Sequence, residues 1–455
     1  MSLAREWDEL VDQVRELNGF KDFLRPPTLE TLRPAASGGP IVIVNVSRWR
    51  CDALIVTEDG VAQRPLPDLT LDQAAERAQI YLETLRDAEL AAAAHESAQK
   101  AVDDNPVPVA IRAQLRAAEA LMEAESRTDH MLRLLQEWLW DAIAAPVVGE
   151  LELERAPARD EAWPRIWWCP TGPLTLLPLH AAGYHATGRS TAGNQVPRTV
   201  IDRAVSSYTP TLRALLEARR AAPLPALGTR RDNSEYEADA LGTTCTARVE
   251  GDRVGEETDR LLIVAVEDAP GQPVLHNVAR ERELLTRLFP PERRTLLQGR
   301  DANRENVDKE LARHRWVHFS CHGDQNLNEP SHGGLLLHDG GMLSVADIAA
   351  RRFRGDFAGL SACKTAVGGI NLLDEMITLA AALHYTGYRH VVSALWSVDD
   401  ETSASVFTAV YSDITADGRL RPDGAAVALH HAVRALRDAA PDEPRLWIPF
   451  THTGP

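Results

Sequence analysis

Long apolar runs are missing from this chain, and so is an excess of basic residues. No apolar stretch reaches the ~18 residues that a membrane-spanning helix needs, so we expect no contact with a membrane. Residues 1–9 lack the apolar core of a signal peptide, which favours a cytoplasmic location. The formal net charge of −17 argues against nucleic acid as a direct partner, because proteins that bind it usually carry a basic face.

Cysteine is scarce as well. The 455 residues include five cysteines, an odd and widely spaced set that does not form a disulfide framework: Cys51, Cys169, Cys245, Cys321 and Cys363. This usage is typical of a reducing compartment. No pair of cysteines has CxxC spacing, and no third ligand accompanies His318 and His322 at a fixed spacing. We therefore predict neither a metal site nor a cofactor.

Apolar runs of strand length are present, and they alternate with helical patterns. From residue 165 onward, β-branched runs such as residues 261–266 and 390–396 alternate with amphipathic segments such as residues 278–288 and 425–439. This alternation predicts an α/β fold with a mostly parallel sheet flanked by helices. Such sheets bind ligands at the carboxyl ends of their strands.

The pattern divides the chain into three parts. We expect a helical leader over residues 1–38, an N-terminal α/β subdomain over residues 39–150 and a further domain over residues 151–455. The subdomain contains a strand pair and a long helical hairpin, predicted at residues 41–47, 52–61, 70–102 and 110–144. Thr70 and Gln73 have the spacing of a capping box at the start of the first long helix. Residues 221–257 show no periodicity and are predicted to form a long surface loop.

Two predicted strands end in reactive side chains. The strand over residues 315–321 leads to His322 and Gly323, and the strand over residues 357–362 leads to Cys363. A histidine and a cysteine at neighbouring strand ends are the minimum equipment of a cysteine hydrolase. Cys363 would be the nucleophile, and His322 would raise its thiolate fraction and protonate the leaving amine. The backbone N–H groups of Gly323 and Cys363 are candidates for the oxyanion hole.

A cysteine at a strand end is more often a small buried hydrophobic residue than a nucleophile. We expect that role for the other four cysteines. Cys321 precedes His322 directly, and side chains alternate along a strand. If His322 faces a cleft, Cys321 therefore faces the core.

Several motifs resemble those of the CHAT-domain peptidases, which are relatives of separase and the caspases. They occur in that family's order: a proline-glycine-leucine-proline segment at residues 168–182, a helix start at 208–215, a histidine-glycine motif at 318–323, an alanine-cysteine motif at 360–364, a tryptophan-containing strand at 387–400 and a terminal signature at 447–450. The resemblance implies a caspase-like fold and a cysteine endopeptidase with His322 and Cys363 as its dyad. Residues 151–455 would then be the CHAT protease domain, and residues 39–150 would be a pseudo-caspase-like subdomain.

The resemblance also suggests a substrate preference. In related separases an aspartate near this place recognises a basic residue before the cut, so Asp400, and next to it Asp399, are candidate substrate-binding residues. The alternative is an acidic loop that caps the helix starting near Thr402, since aspartate favours helix N-termini. The sequence leaves both interpretations open.

The function that follows is cleavage of protein substrates by a regulated cysteine endopeptidase, in a defence or cell-death pathway. Many family members carry tetratricopeptide repeats before the protease, but this chain has no 34-residue period, so regulation could come from a separate activator protein. One alternative is a catalytically silent caspase-like adaptor that binds protein partners. Another is an α/β hydrolase that acts on a small acyl substrate. The presence of both dyad members favours the peptidase.

Overall fold

The computed structural model of the chain describes residues 2–17, 23–153, 155–158, 161–185, 198–220, 259–272, 274–324, 329–362 and 378–455. The predicted loop over residues 221–257 lies outside these ranges, and so does Cys363. In the part that is described, no helix is both long and apolar enough to cross a membrane.

The N-terminal part of the chain combines a strand hairpin with a long helical hairpin. Its elements are α1 (Ser2–Glu16), α2 (Leu29–Leu32), β1 (Ile41–Asn45), β2 (Asp52–Val56), β3 (Val61–Pro65), α3 (Leu71–Asp104), α4 (Pro108–Leu139) and α5 (Ala145–Glu150). The predicted capping box is present, because Thr70 Oγ1 accepts from the Gln73 backbone N–H and Gln73 Oε1 accepts from that of Thr70. A π-helical turn at Trp140–Ala144 joins α4 to α5.

The middle of the chain contributes strands on both sides of the sheet's centre. Its elements are β4 (Arg165–Pro170), β5 (Val205–Tyr208), α6 (Leu212–Arg220), β6 (Leu261–Ala265), α7 (Val278–Leu288), β7 (Arg294–Gln298), α8 (Arg304–Leu311) and β8 (Trp316–Ser320). The side chain of Asn303 caps α8, because its Oδ1 accepts a hydrogen bond from the Asn306 backbone N–H.

The C-terminal part adds the remaining central strands and a small three-stranded sheet. Its elements are β9 (Gly323–Asp324), β10 (Gly334–Leu336), β11 (Met342–Ser344), α9 (Val345–Ala349), β12 (Phe357–Ser361), α10 (Leu379–Thr386), β13 (His390–Ala394), α11 (Asp400–Ile414), β14 (Thr415–Ala416), β15 (Arg419–Leu420), α12 (Ala425–Ala439), α13 (Pro444–Trp447) and β16 (Phe450–Thr453).

Within the described residues, eleven strands form one continuous sheet in the order β3-β2-β1-β4-β5-β16-β13-β12-β8-β6-β7. Neighbouring strands are parallel except at β1–β2, β2–β3 and β13–β16. Every residue of β6, β8 and β13 is buried, as expected for strands covered on both faces. The predicted α/β fold with a mostly parallel sheet is therefore confirmed.

The antiparallel joint between β13 and β16 divides the sheet into two groups of strands. β1, β4, β5 and β16 run in one direction, whereas β13, β12, β8, β6 and β7 run in the other. The carboxyl ends of the two groups therefore lie at opposite edges of the sheet. His322 follows β8 and belongs to the edge of the second group.

The sequence analysis missed several short strands. Residues 52–61 were predicted as one strand, but β2 ends at Val56 and a turn leads to the separate strand β3. The strands β5, β9, β10, β11 and β16 were not predicted. In β16 the reason is composition, because Thr451, His452 and Thr453 are polar and yet buried. The sequence also predicts a helix over residues 372–386; residues 372–377 lie outside the described ranges, and α10 begins at Leu379.

A buried ion pair attaches α12 to the segment that precedes β5. Asp202 accepts hydrogen bonds from Arg437 at 2.8 and 2.9 Å and from Thr199 Oγ1 at 2.6 Å. Burial alone would raise the pKa of Asp202, but the hydrogen bonds and charge of Arg437 outweigh it and hold the pKa below its ordinary value. The pair therefore stabilises the fold above the carboxyl group's unfolded pKa, near 4, and loses this effect as the pH falls through the folded pKa.

We predict that Asp202→Asn lowers the free energy of unfolding by about 3 kcal/mol at pH 7, because it leaves a buried guanidinium without its main partner. Denaturant unfolding at pH 7 and near pH 3 measures the difference from wild type. The deficit should shrink at the lower pH, where the wild-type carboxylate is increasingly protonated. An equal deficit at both pH values would contradict this assignment.

Candidate active site

The two strands predicted to end in reactive residues are neighbours in the sheet. β8 and β12 are parallel and paired from Trp316 opposite Phe357 to Ser320 opposite Ser361. Their carboxyl ends therefore lie side by side at one edge. Open α/β sheets bind ligands at this kind of edge.

His322 lies two residues beyond the end of β8, between β8 and the short strand β9. Its backbone carbonyl accepts a hydrogen bond of 2.9 Å from the Leu336 backbone N–H, which anchors the residue to β10. His322 is half-buried, whereas Cys321 is 1% exposed and packs in the main hydrophobic core. Gly323 begins β9 and pairs with Leu335.

Cys363 lies outside the described residues, and the structure describes the chain only up to Ala362 on this side. β12 ends at Ser361, and Ala362 is buried. The dyad of His322 and Cys363 therefore stays a prediction. The same holds for an oxyanion hole formed by the backbone N–H groups of Gly323 and Cys363.

A buried carboxyl group joins the ends of the two strands. Glu281 of α7 is 3% exposed, and its Oε1 accepts a hydrogen bond of 2.6 Å from Ser361 Oγ. Its Oε2 accepts a hydrogen bond from Ser320 Oγ and lies 3.2 Å from His318 Nε2. Ser361 Oγ is also 2.8 Å from Ser403 Oγ on α11. We call Glu281, Ser320 and Ser361, with His318 and Ser403, the carboxyl cluster.

The sequence analysis did not single out Glu281, although a signal was present. The residue lies in the predicted amphipathic helix, and the residues of α7 that are buried with it are Val278, Leu284 and Leu285. These positions follow helical spacing, so Glu281 is a charged residue on the core-facing side. Fully buried glutamates are rare unless they have partners, which makes such a position a marker for a site.

Two aspartates, Asp399 and Asp400, follow β13, and one of them has a structural role. Asp399 is the N-cap of α11, and its Oδ1 accepts a hydrogen bond of 2.9 Å from the Thr402 backbone N–H. This contact favours the helix-cap interpretation for Asp399. Asp400 is the first residue of α11, and its side chain is outside the described set. Substrate binding by either residue stays a prediction.

A cavity of about 40 Å³ lies at the same edge of the sheet. It is lined from α7, from the ends of β8, β12 and β13, and from α11; among the lining residues are Glu281, Cys321, Ser361, Ala362, Trp396 and Ser403. Its volume has room for very few water molecules. Three members of the carboxyl cluster, Glu281, Ser361 and Ser403, therefore line a cavity at this edge of the sheet.

The helical hairpin is attached to the loop that borders this cavity. The ring of Trp396 packs edge-to-face against Tyr81 of α3 with ring centroids 5.8 Å apart. Ser397 Oγ donates a hydrogen bond of 3.0 Å to Glu89 Oε1, about two turns further along α3. The base of the hairpin therefore supports the loop between β13 and α11.

The chain was compared with known protein families. The family model described as CHAT domain matches residues 133–455, which is more than half of the chain. No curated protein sequence shows significant similarity to the chain.

Among solved structures, the chain is similar to two crystal structures of the separase–securin complex from Saccharomyces cerevisiae, at 2.6 and 3.0 Å resolution. The TM-score is 0.51 in both cases, with sequence identities of 10% and 9%. Each match covers 93% of this chain but only 30% of the other chain, so the chain spans less than a third of the length of these relatives. At this identity the likeness concerns the fold, and it agrees with the predicted caspase-like architecture.

We predict that Trp396→Ala lowers the free energy of unfolding by about 3–5 kcal/mol, because it removes a buried aromatic ring between α3 and the loop after β13. Tyr81→Phe is the matched control. It keeps the ring contact, and in the described part of the chain the Tyr81 hydroxyl makes no hydrogen bond that could be lost. Denaturant unfolding of both variants checks the prediction. A comparable loss in Tyr81→Phe, or none in Trp396→Ala, would contradict the role given to this ring pair.

Proposed function

Because the chain belongs to the CHAT domain family, we propose that it is a cysteine endopeptidase with His322 and Cys363 as its catalytic dyad. The family and the fold identify a caspase-like, protease-related domain. The pairing of β8 with β12 carries the proposal. Its last pair, Ser320 opposite Ser361, precedes His322 and Cys363 by two residues in each case.

The chemistry requires a thiolate at neutral pH. A cysteine thiol with an ordinary pKa near 8.5 is only a few per cent ionised at pH 7, so a neighbouring imidazole is needed to accept its proton. In the proposal, the Cys363 thiolate attacks the carbonyl carbon of the scissile peptide bond. The backbone N–H groups of Gly323 and Cys363 stabilise the negative oxygen that results.

The second half of the reaction returns the enzyme to its starting state. Protonated His322 gives its proton to the leaving amine nitrogen as the C–N bond breaks, and the acyl group remains on the Cys363 sulfur as a thioester. A water molecule then attacks the thioester carbonyl while His322 accepts a proton from it. The acid is released, and His322 returns the proton to the sulfur.

The substrate in this proposal is a protein, because the site lies at an edge of the sheet and the nearby cavity is small. A preference for a basic residue before the cut depends on Asp400, since Asp399 is engaged in capping α11. The resemblance of the sequence to CHAT peptidases extends the proposal to a regulated enzyme in defence or cell death, activated by a separate protein.

We predict that Cys363→Ala and His322→Ala each reduce cleavage at least about a thousandfold, because the members of a nucleophile–base pair act as a unit. Proteome-wide mapping of new N-termini, with and without candidate activator proteins, measures the cuts made by the wild type and each variant. Cys169→Ala is the control, because it removes a buried thiol on β4. This strand belongs to the other group of strands, whose carboxyl ends lie at the opposite edge of the sheet.

The cuts made by wild type should persist in Cys169→Ala and disappear in the two dyad variants. Cuts that persist in Cys363→Ala would remove this residue from the mechanism. If the folded wild type makes no cuts with any activator, and if wild type and Cys363→Ala bind the same protein partners equally well, the protein is a silent adaptor instead.

A further inference from the structure

We infer that Glu281 is a positioning residue for the dyad, because its carboxyl group fixes the two strand ends that lead to His322 and Cys363. This inference rests on the proposed function and deepens it. It assigns a role to a residue on α7, outside the motifs that indicated the family. Glu281 acts through Ser320 and Ser361, whose hydroxyl groups donate hydrogen bonds to its carboxyl oxygens.

The geometry is that of one carboxyl group shared between two strands. Ser361 donates to Oε1 and Ser320 donates to Oε2, so each oxygen holds a different strand. The two serines are cross-strand partners in the sheet. Because both oxygens belong to one planar group on a helix, the two hydroxyls are fixed relative to each other as well as to α7.

The position of these contacts along the strands is what makes them important. The backbone ladder between β8 and β12 ends at the pair Ser320–Ser361. Residues beyond this pair, including His322, are not held to the neighbouring strand by that ladder. The carboxyl cluster therefore acts at the last residue pair where the two strands share a fixed register. This pair lies two residues before each predicted catalytic side chain.

Burial makes the arrangement rigid. Glu281 and Ser320 are 3% and 1% exposed, so water does not compete effectively for their hydrogen bonds. His318 Nε2 is 2.9 Å from Ser320 Oγ, and Ser403 connects Ser361 to α11. A displacement of about 1 Å between reacting groups can cost a hundredfold in rate, so small losses of order at this point would be measurable.

Other roles for Glu281 fit the geometry less well. A residue that binds a basic substrate side chain needs an accessible oxygen, but both oxygens of Glu281 already accept hydrogen bonds from serines. A general base in direct contact with substrate would need exposure that this side chain lacks. Positioning through the serines uses a hydrogen bond at each of the two carboxyl oxygens.

The test measures alkylation of Cys363 by iodoacetamide, which requires neither substrate nor activator. Peptide-level mass spectrometry gives the second-order rate constant for each cysteine across pH 5–9 in the full chain. In wild type the imidazole should keep the rate of Cys363 high at pH 7, and His322→Ala should lower it toward that of an isolated thiol, up to about thirtyfold. Glu281→Gln keeps the shape of the side chain but can accept from only one serine hydroxyl, and we expect it to lower the rate about tenfold.

Two variants separate positioning from general stabilisation. Asp202→Asn removes a buried carboxylate that pairs with Arg437 of α12 and is not part of the carboxyl cluster, so it should lower stability without moving the pH profile of Cys363. Ser361→Ala is a milder change at the cluster and should shift the profile in the same direction as Glu281→Gln. In the Ser361→Ala background, Glu281→Gln should have a smaller effect than in wild type, because the two residues share one interaction.

An internal control guards against unfolding. Burial raises the pKa of the Cys169 thiol to about 12, so this residue should react slowly in every folded variant. If Cys169 is labelled faster in Glu281→Gln than in wild type, the altered rate at Cys363 results from unfolding, and the inference is overturned. The inference is also overturned if Asp202→Asn changes the pH profile of Cys363 alkylation as much as Glu281→Gln does.

The results separate the positioning role of Glu281 from the proposed dyad of His322 and Cys363. If His322→Ala alters the profile of Cys363 but Glu281→Gln and Ser361→Ala leave it as in wild type, the dyad stands and the positioning role is wrong. If His322→Ala leaves the profile unchanged, the dyad itself is wrong, and the inference is overturned with it.

Discussion

The parallel pairing of β8 with β12 determines where the candidate site lies in this protein. Both strands are buried and covered on each face, so their register is set by the backbone ladder and by core packing together. A slip by one residue would turn every side chain of a strand to the other face of the sheet. The register observed brings Ser320 and Ser361 together under one carboxyl group, and the chain beyond them leads to His322 on one strand and to Cys363 on the other.

At the centre of the same sheet, the buried side chains of His390, His452 and Ser207 form a chain of polar contacts, which we call the polar seam. At the antiparallel joint of β13 and β16, His390 Nδ1 lies 3.1 Å from His452 Nε2, and His452 Nδ1 lies 2.8 Å from Ser207 Oγ on β5. Burial lowers the pKa of both histidines, so they are neutral near pH 7 and each has one donor and one acceptor nitrogen. Because a shifted register would leave these buried groups without partners, the seam specifies how the two groups of strands meet.

How far the sequence predicts this structure depends on the kind of signal. The strand-length apolar runs of β6, β8 and β13 and the capping box at Thr70 are local patterns, and their elements form where they were expected. β16 could not be predicted in this way, because its polar residues become buried only through partners on β5 and β13. Glu281 was missed for a related reason: its three partners lie on other elements, far away in the sequence. The helical hairpin was predicted, but its contact with Trp396 depends on tertiary packing.

The most direct test of the central claim is an experimental structure of the chain after reaction with iodoacetamide. The account predicts a covalent adduct on Cys363 Sγ, with a ring nitrogen of His322 within about 4 Å of that sulfur, at the edge of the sheet where β8 and β12 end. A sulfur and an imidazole more than about 8 Å apart, or on opposite faces of the sheet, would contradict it, because proton transfer between them would then be impossible without a large rearrangement.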